Sequence, residues 1–442
     1  MSTHTTQIAV FWFRRDLRIE DNTGLYHALN SGYPVLPLFI FDSDILDQLE
    51  DRDDGRVTFI HQVVSDLQQA FDKQGGTLLT HYGKPVKIWK QLLREYIIVA
   101  VYTNHDYESY AINRDTKIRE LLQTRGIPFH TYKDQVIFEK QEIVNGQGNP
   151  YKVFTPYSKK WLATLTDAHT QHFLSGEHIS ALYKSQSELI PSLPEMGFQK
   201  SALIFPSMEV REDILEEYAR ERNFPAKPGT TKIGIHLRFG TVSIREMVRK
   251  AIQHSDIWLN ELIWRDFYMM ILANFPHVEQ SACKPAYDQI QWRNNEQEYK
   301  LWCMGQTGYP IVDAGMRELN ATGFMHNRVR MITASFLVKH LLIDWRWGEA
   351  YFAGKLLDYE LASNNGSWQW IAGSGCDAAP YFRVFNPNTQ AAKFDKAKEY
   401  IKKWIPELGT PDYPKPIITH EFARERVLAT YLEALKKGMS VG

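Results

Sequence analysis

Two uninterrupted apolar runs stand near the start of the chain, Ile8-Ala-Val-Phe-Trp-Phe13 and Val35-Leu-Pro-Leu-Phe-Ile-Phe41. Runs of this length without alternating polar residues are typical of strands buried on both faces of a parallel sheet. Shorter apolar runs follow at 77–80, 97–102 and 128–132. Segments with apolar residues at helical spacing, 57–73 and 113–124, lie between them. The first 135 residues therefore predict an α/β domain with a doubly wound parallel sheet.

Length and composition restrict what the whole chain can be. With 442 residues, 44% of them hydrophobic and 23% charged, the chain is globular, and wholly disordered, collagenous and coiled-coil proteins are excluded. Lys and Arg number 51 against 52 Asp and Glu, a net charge of −1, which excludes a globally basic nucleic-acid binder but leaves room for a local basic face. Because no long apolar run is present, no membrane span is expected.

The three cysteines, Cys283, Cys303 and Cys376, are too far apart in sequence for a Cys-x-x-Cys pair and are odd in number for a disulfide framework. They predict a reducing compartment. The polar stretch from Met1 to Gln7 runs directly into the first strand, which leaves no room for a signal-peptide core. A cytoplasmic location is therefore expected.

Helical spacing dominates from residue 207 onward and predicts helices at 242–255, 259–274, 311–321, 327–342 and 393–404. Residues 136–206 carry Asn, Gly and Pro interruptions that are typical of a connector. The predicted organisation is an α/β domain at 1–135, a connector at 136–206 and an all-α domain at 207–442. Nine of the 12 tryptophans lie between Trp258 and Trp404. Core packing explains any one of them but not their concentration in one half.

One candidate binding element in the all-α half is the loop Gly229-Thr-Thr-Lys-Ile-Gly234. It combines backbone freedom, two hydroxyls and a cation just before a helical stretch, which suits a phosphate group. The alternative is a threonine N-cap on an ordinary loop.

Two other groups of side chains share helix faces. Glu261, Trp264 and Arg265 form either a wall against a flat ring or a surface ion pair beside a buried tryptophan. Asn327 and Arg330 repeat this spacing together with Met331. An ion pair between Arg330 and Asp358, buried against an aromatic ring, would be more than a solvated surface bridge.

Several ordered motifs run along the chain: Phe13-Arg-Arg-Asp-Leu-Arg18, Glu261-Leu-Ile-Trp-Arg265, Gly305-Gln-Thr-Gly-Tyr-Pro-Ile-Val-Asp313, His326-Asn-Arg-Val-Arg-Met331, Asp344-Trp-Arg346, Asn364-Asn-Gly-Ser-Trp-Gln-Trp370 and Phe385-Asn-Pro387. Together they resemble the photolyase/cryptochrome family over nearly the whole chain. The closest likeness is to class I cyclobutane pyrimidine dimer (CPD) photolyases. The resemblance makes 1–135 an antenna domain and 207–442 an FAD-binding and DNA-lesion-binding domain.

The resemblance implies a U-shaped FAD buried in the all-α domain. It assigns to this cofactor Tyr218, Thr230, Thr231, Lys232, Ile233, Gly234, Arg330, Asp358, Tyr359, Glu360 and Asn364. Arg330 and Asp358 would lie beside the isoalloxazine ring, and Asn364 would face the ring nitrogen that changes protonation on reduction. Glu360 departs from the Asp that is more familiar in the family.

The resemblance also implies a pocket for a flipped-out DNA lesion. The DNA-binding and lesion-binding residues would be Arg222, Glu261, Trp264, Arg265, Asn327, Arg328, Met331, Trp370, Arg383 and Gln390, of which Arg222, Arg328, Arg383 and Gln390 would contact the strand's backbone around the pocket. Trp264 and Trp370 would flank the dimer, and Glu261 would hydrogen-bond a thymine edge. Residues 222–265 hold eight Lys or Arg against three acids, a local charge of +5 that predicts a basic face and salt-sensitive binding. The expected partner is UV-damaged DNA, and the chain is expected to be a monomer.

Three tryptophans, Trp368, Trp345 and Trp292, match the family's chain that relays an electron from the surface to light-excited oxidised flavin. The implied activity is that of a deoxyribodipyrimidine photolyase. In this lyase, light-driven electron transfer from reduced FAD splits cyclobutane pyrimidine dimers in DNA, and the protein positions the cofactor and tunes its electronics.

A second, antenna chromophore is implied by Asp106 and Glu108. They lie in a segment that resembles the antenna site of deazaflavin-binding members, whereas Tyr110 and Ala111 do not match folate-binding members. An 8-hydroxy-deazaflavin-like antenna is therefore favoured over methenyltetrahydrofolate.

Two other activities remain open at this point. One is a cryptochrome-type blue-light photoreceptor with the same FAD and tryptophan chain, and the other is a (6-4) photoproduct photolyase. The animal-like (6-4) enzymes rely on a pocket histidine where this chain has Asn327. The full set of pocket residues and the lack of a C-terminal extension favour CPD repair.

Overall fold

The computed structural model describes residues 6–439, with only the backbone at 437–439. The chain forms two compact units. The sheet unit contains the residues up to Glu139, 164–208 and 233–253, and the helical unit contains 140–163, 209–232 and the residues from His254 onward. The predicted division, 1–135, 136–206 and 207–442, is continuous along the chain, whereas each of these units is built from several chain segments.

The sheet unit is built on five strands, β1 Gln7–Phe13, β2 Val35–Asp42, β3 Leu79–Gly83, β4 Ile97–Asn104 and β5 Phe129–Tyr132. All neighbouring pairs are parallel, in the order β3-β2-β1-β4-β5. β2 is buried along its whole length, as is β1 after Gln7, which explains their continuous apolar runs. The predicted doubly wound parallel sheet is confirmed. Its switch point lies between β1 and β4, where such folds bind ligands beyond the strand ends.

Eighteen α-helices lie in the described part of the chain. The first nine are α1 Thr23–Leu29, α2 Ser43–Leu46, α3 Gly55–Asp72, α4 Pro85–Glu95, α5 Ser109–Gln123, α6 Phe154–Thr164, α7 Glu212–Glu221, α8 Gly234–Phe239 and α9 Ile244–His254. The others are α10 Asp256–Asn274, α11 Glu296–Met304, α12 Pro310–Thr322, α13 Asn327–Ser335, α14 Trp345–Lys355, α15 Leu361–Ala372, α16 Pro387–Phe394, α17 Glu399–Trp404 and α18 His420–Met439. Short 3-10 helices occupy Asp167–Thr170, Ser175–Ala181, Pro276–Glu279 and Pro285–Gln289. The predicted all-α second half is confirmed from residue 254 onward.

Two predicted helices differ from the structure. The helix predicted at 393–404 is wrong as one element, because Asp395 accepts from the backbone N–H of Tyr400 and Ile401 and starts a new helix, α17. Lys398 takes a positive φ of 58° at that break. The helix predicted at 327–342 is α-helical only to Ser335 and continues as a π-helix, Phe336–His340.

Most tryptophans of the helical unit belong to one large core. Trp302, Trp345 and Trp368 are buried in a cluster formed by α11 to α15, and Trp292 packs against its edge. The motif from Gly305 to Asp313 supports this core structurally, because the Asp313 carboxylate accepts from the N–H and hydroxyl of Thr307, from the N–H of Gly308 and from the hydroxyl of Tyr413.

The cysteine prediction needs correction. Cys283 and Cys376 form a disulfide, with Cα atoms 5.3 Å apart, although 93 residues separate them in sequence. The odd count arises because Cys303 stays outside the bond. The cysteines therefore do not support a reducing compartment. None of the helices in the described part of the chain combines the length and hydropathy that a membrane span requires.

The C-terminal helix α18 docks on the π-helix through two histidines. His340 is fully buried, its Nε2 lies 2.9 Å from Nδ1 of His420, and its backbone carbonyl accepts from Arg426. Burial, with help from His420 and Arg426, lowers the pKa of His340 to about 3. The protonated form is therefore disfavoured in the folded protein.

We expect this histidine to make the helical unit acid-sensitive. A histidine in an unfolded chain titrates near pH 6.5. Between the folded and unfolded pKa values of His340, only the unfolded chain binds the extra proton, so the free energy of unfolding falls as pH falls. From pH 6.5 to 5.5 the free energy of unfolding should drop by roughly 1 kcal/mol more in the wild type than in His340→Gln. Urea titrations followed by tryptophan fluorescence test this, and equal pH slopes for both proteins would contradict it.

Candidate functional site

A cavity of about 350 Å³ lies in the helical unit, between α10, α13, α14, α15 and the segment 356–360. Twelve predicted site residues line it: Arg222, Glu261, Trp264, Asn327, Arg330, Met331, Asp358, Tyr359, Glu360, Asn364, Trp368 and Trp370. The rest of the lining is Tyr268, Ala334, Phe352, Leu356, Ser363, Ser367 and Ile371. Residues predicted for the flavin and residues predicted for the lesion therefore share one cavity.

An aromatic wall forms one side of the cavity. The ring of Trp264 on α10 stacks on Phe154 at the start of α6, with centroids 3.6 Å apart and planes 4° from parallel. Tyr268, one turn further along α10, lies 5.4 Å from the same ring. Because two neighbours hold the indole in place, Trp264 presents a fixed surface for another flat ring.

A carboxylate stands beside this wall. Glu261 lies one turn before Trp264 and forms an ion pair with Arg222, whose guanidinium is 5.4 Å from the ring centre of Tyr218. Burial raises the pKa of Glu261, although Arg222 opposes the shift. Glu261 thus offers a hydrogen-bonding group at the edge of the wall.

Three arginines influence one another near the cavity. Burial lowers the pKa of Arg328, and Arg222 and Arg383 lower it further. Arg328 donates to Asn223 at 2.7 Å, and the exposed Arg383 lies 5.9 Å from the ring centre of Trp370. A cluster of like charges of this kind suits a polyanion.

Fewer basic residues contribute to the predicted basic face at 222–265 than the count of +5 indicated. Arg245 is buried in the sheet unit between Asp21 and Asp134. Arg238 pairs with Glu108 in the same unit. These arginines neutralise carboxylates inside their unit, which a count along the sequence cannot reveal.

An arginine–aspartate pair lies on another part of the cavity lining. Arg330 on α13 donates to Asp358 at 2.9 Å and to the backbone carbonyl of Met325 at 2.7 Å. The other carboxylate oxygen of Asp358, Oδ1, is buried and accepts no hydrogen bond from any described residue. It remains available to a donor on a bound molecule, because buried acceptors are rarely left unsatisfied.

The amide of Asn364 on α15 is oriented by a residue on α14. Its Nδ2 donates to the carboxylate of Glu349 at 2.9 Å and to the Glu349 backbone carbonyl at 3.1 Å. Burial raises the pKa of Glu349, although the hydrogen bond opposes the shift. With both amide hydrogens engaged, Asn364 retains its carbonyl oxygen for a ligand in the cavity.

Arg265 is placed differently from its prediction as a DNA-binding residue. It is about nine-tenths buried and pairs with Glu360 at 3.2 Å, and Ser363 donates to the same carboxylate. Glu360 lines the cavity, so Arg265 lies behind the lining and holds Glu360 in place.

The three predicted relay tryptophans run along neighbouring elements. Trp368 on α15 lines the cavity and packs against Gly348 of α14, the helix that begins at Trp345. Two hydrogen bonds join segments 292–294 and 342–344. The N–H of Arg293 donates to the backbone carbonyl of Leu342 at 2.8 Å, and the N–H of Asp344 donates to the side-chain oxygen of Asn294 at 2.9 Å. Trp292 is partly exposed at the edge of the same core. Trp345 and Trp292 are not part of the cavity lining.

Other predicted residues also lie outside the lining of this cavity: Tyr218, Thr230, Thr231, Lys232, Ile233, Gly234, Arg328, Arg383 and Gln390. Lys232 has a positive φ of 52°, and its ammonium lies 4.8 Å from the ring centre of Phe324. Gly234 starts helix α8, which has only six residues. Gln390 is half-buried on α16.

The predicted antenna residues lie in the sheet unit, just after β4. Arg15 pairs with Asp106 at 3.2 Å and with Glu108 at 2.9 Å, and Arg238 pairs with Glu108 at 2.8 Å. Burial would raise the pKa of Asp106, but Arg15 and neighbouring arginines outweigh it and lower this pKa to about 2. Both carboxylates therefore already have cationic partners, at the switch point of the sheet.

Comparison with known proteins identifies the family. Residues 9–175 match the family model for DNA photolyase, and residues 258–411 match the FAD binding domain of DNA photolyase. A deoxyribodipyrimidine photo-lyase from Synechococcus is 37% identical over 96% of this chain and 96% of its own length. The chain belongs to the DNA photolyase family. The predicted family, fold and lyase class are confirmed, and the cavity lining apart from Arg222 lies within the residues that match the FAD binding domain.

Solved structures of photolyases share the fold of this photolyase family member. A class III photolyase from Agrobacterium tumefaciens superposes with a TM-score of 0.85 at 31% identity, covering 98% of this chain and 99% of its own. An archaeal photolyase from Sulfolobus tokodaii was solved with two FAD molecules, with the implication of a novel light-harvesting cofactor. It superposes with a TM-score of 0.82 at 34% identity, covering 96% of this chain and 99% of its own. A Synechocystis cryptochrome superposes with a TM-score of 0.85 at 25% identity, covering 97% of this chain and 100% of its own.

Sequence reasoning missed several residues of this photolyase site. Tyr268 could have been found, because it lies four residues after Trp264 on the same helix face. Phe154, Glu349 and Asn223 could not, since each comes from a separate segment and touches its partner only in the folded chain.

Proposed function

We propose that this chain is a deoxyribodipyrimidine photolyase that splits cyclobutane pyrimidine dimers in DNA by light-driven electron transfer from reduced FAD. The observation that carries the proposal is the shared cavity, whose lining includes Glu261, Trp264 and Trp370 on one hand and Arg330, Asp358 and Asn364 on the other. Relatives named deoxyribodipyrimidine photo-lyase support the choice of substrate.

The flavin side of the proposal rests on donors and acceptors that fit the ring. Reduced FAD, when bound and excited by light, supplies the electron that opens the cyclobutane ring. Arg330 holds Asp358 by an ion pair, and the unpartnered Oδ1 of Asp358 accepts a hydrogen bond from the bound group. Asn364, fixed by Glu349, presents a neutral amide carbonyl to the ring nitrogen. A neutral group there favours a reduced ring that carries negative charge.

The lesion side uses stacking and a polar edge. Trp264 and Trp370 stack on the extruded bases, and Glu261 hydrogen-bonds a thymine edge. Glu261, held by its ion pair with Arg222, presents a carboxylate oxygen that accepts from a thymine N–H. Asn327 and Met331 complete the floor, while Arg222, Arg328, Arg383 and Gln390 contact the DNA backbone. A dimer already distorts its duplex, so extruding it costs less than flipping a sound base pair.

Finer features of the function stay predictions. These are the 8-hydroxy-deazaflavin-like antenna at Asp106 and Glu108, the diphosphate contacts of Tyr218 and the loop 230–234, the three-part division 1–135, 136–206 and 207–442, the monomeric state and the cytoplasmic location. Because Asp106 and Glu108 pair with Arg15 and Arg238, an antenna ring that binds at these carboxylates lies beside the two arginines as well.

The decisive experiment is a repair assay with reduced, purified protein. An oligonucleotide with one defined thymine dimer is illuminated beside a dark control and a parallel (6-4) substrate. We expect light-dependent loss of the cyclobutane dimer alone. Repair of the (6-4) lesion instead would make the chain a (6-4) photolyase. Repair of neither lesion by protein that binds and photoreduces FAD would favour a blue-light photoreceptor.

Removing the Asp358 charge should weaken FAD binding. Asp358→Asn leaves Arg330 without its counter-ion and alters the free acceptor Oδ1. Hydrogen bonds to charged groups contribute about 1.5–3 kcal/mol, so the Kd for FAD should rise roughly tenfold. Flavin fluorescence titration of apoprotein measures this. Glu298→Gln, which breaks the Arg293–Glu298 pair away from the cavity, is the control and should leave the Kd unchanged. Equal affinity in both variants would remove Asp358 from the FAD site.

A further inference from the structure

The disulfide joins two segments beside the proposed lesion pocket. Cys283 precedes the short helix Pro285–Gln289, and Cys376 lies in the loop 373–386 between α15 and α16. Both cysteine residues are partly exposed. The same loop carries Arg383, close to the pocket residue Trp370.

One residue of α15, Gln369, binds both cysteine segments. Its backbone carbonyl accepts from the N–H of Ser374 and Gly375, at 3.0 and 3.1 Å. Its side-chain Oε1 accepts from the N–H of Cys283 at 2.9 Å, and its Nε2 donates to Val278 at 3.0 Å. Gln369 lies between the relay residue Trp368 and the pocket residue Trp370, so α15 links the disulfide segments to two residues of the cavity lining.

The residue after Cys376 reaches the other side of the pocket. Asp377 accepts from the backbone N–H of Phe154 at 2.8 Å, and Phe154 is the ring on which Trp264 stacks. On the same loop, the N–H of Ala379 donates to the backbone carbonyl of Trp370 at 3.1 Å. The segment that follows Cys376 therefore contacts the supports of both proposed stacking tryptophans.

We propose that Cys283 and Cys376 form a redox-sensitive site that sets the affinity of the pocket for the DNA lesion. This inference rests on the proposed function. In the oxidised protein the covalent bond holds loop 373–386 in place, so Trp264 and Trp370 are preorganised for the extruded bases. In the reduced protein the hydrogen bonds of Gln369 remain, but the loop loses its covalent tie and must be ordered when the lesion binds.

The chemistry is thiol–disulfide exchange. Two reduced glutathione molecules convert the protein disulfide into two thiols and become one oxidised glutathione, so two electrons and two protons pass to the protein sulfurs. The reverse reaction, with oxidised glutathione as the acceptor, restores the bond.

The first test measures the affinity of the FAD-loaded protein for an oligonucleotide with one thymine dimer, in the dark, before and after reduction with a phosphine. Ordering of a few loop side chains on binding should raise the Kd about tenfold in the reduced wild type. Cys376→Ser should show the weaker affinity in both conditions. Cys303→Ser, which keeps the disulfide, should respond as the wild type does.

The second test needs no variant. In glutathione buffers of graded ratio, the fraction of thiols labelled at Cys283 and Cys376 and the lesion affinity should change with the same midpoint. A lesion affinity that stays constant while the thiols become labelled would overturn the proposal. If oxidised wild type binds damaged and undamaged DNA equally, the proposed photolyase function fails instead, so the two failures are distinguishable.

Discussion

Replacement of Trp264 by alanine should weaken binding of dimer-containing DNA by about 10–100-fold, because stacking of a base on an aromatic side chain contributes about 1–3 kcal/mol. The indole is held parallel to Phe154 at 3.6 Å, so its free face is already fixed before a lesion arrives. The variant loses both the stacking surface and this preorganisation. Affinity for undamaged DNA should change little, since phosphate contacts dominate it.

The controls separate stacking from folding. Trp264→Phe keeps an aromatic ring against Phe154 and should lose less affinity than Trp264→Ala. FAD content, measured from the ratio of flavin to protein absorbance, should stay intact in both variants. Equal affinity of wild type and Trp264→Ala for the dimer-containing oligonucleotide would remove Trp264 from the pocket.

The sequence predicted the sheet well because buried parallel strands leave a direct record in the chain. Each predicted strand overlaps an observed one, from β1 at Gln7–Phe13 to β5 at Phe129–Tyr132. Helix ends were less predictable. Asp395 and Lys398 interrupt the helix predicted at 393–404, and their effect depends on a side-chain bond to a later turn rather than on apolar spacing.

The candidate site was predictable where residues share a helix face and unpredictable where segments meet. Glu261 and Trp264 were placed together by their spacing on α10 and do line one cavity. Arg265, on the same face, instead pairs with Glu360 behind the lining. The disulfide between Cys283 and Cys376 was missed for the same reason as Phe154: the contact closes across distant parts of the chain, and local composition carries no record of it.

Replacement of Trp368 by phenylalanine should slow photoreduction of oxidised flavin by about 100-fold, which corresponds to an added barrier of about 2.7 kcal/mol. Trp368 is the tryptophan of the proposed relay that lines the cavity, and it packs on α14, the helix that begins at Trp345. Phenylalanine fills most of the same space but gives up an electron far less readily than an indole. Bleaching of the oxidised flavin band under blue light, with an external thiol as the final donor, measures the rate.

Trp302→Phe is the matched comparison, because Trp302 is also buried and its ring centre lies 6.2 Å from that of Trp368, but it is not one of the three proposed relay tryptophans. Its indole N–H donates to the backbone carbonyl of Thr333 at 3.1 Å. We expect near wild-type photoreduction from Trp302→Phe. Both variants should repair the dimer normally once the flavin is reduced chemically, since repair draws its electron from the cofactor and not from the tryptophans. Loss of photoreduction in Trp302→Phe but not in Trp368→Phe would move the relay to a branch through Tyr299, which stacks on Trp302, and Trp347, whose ring meets that of Tyr299 edge to face.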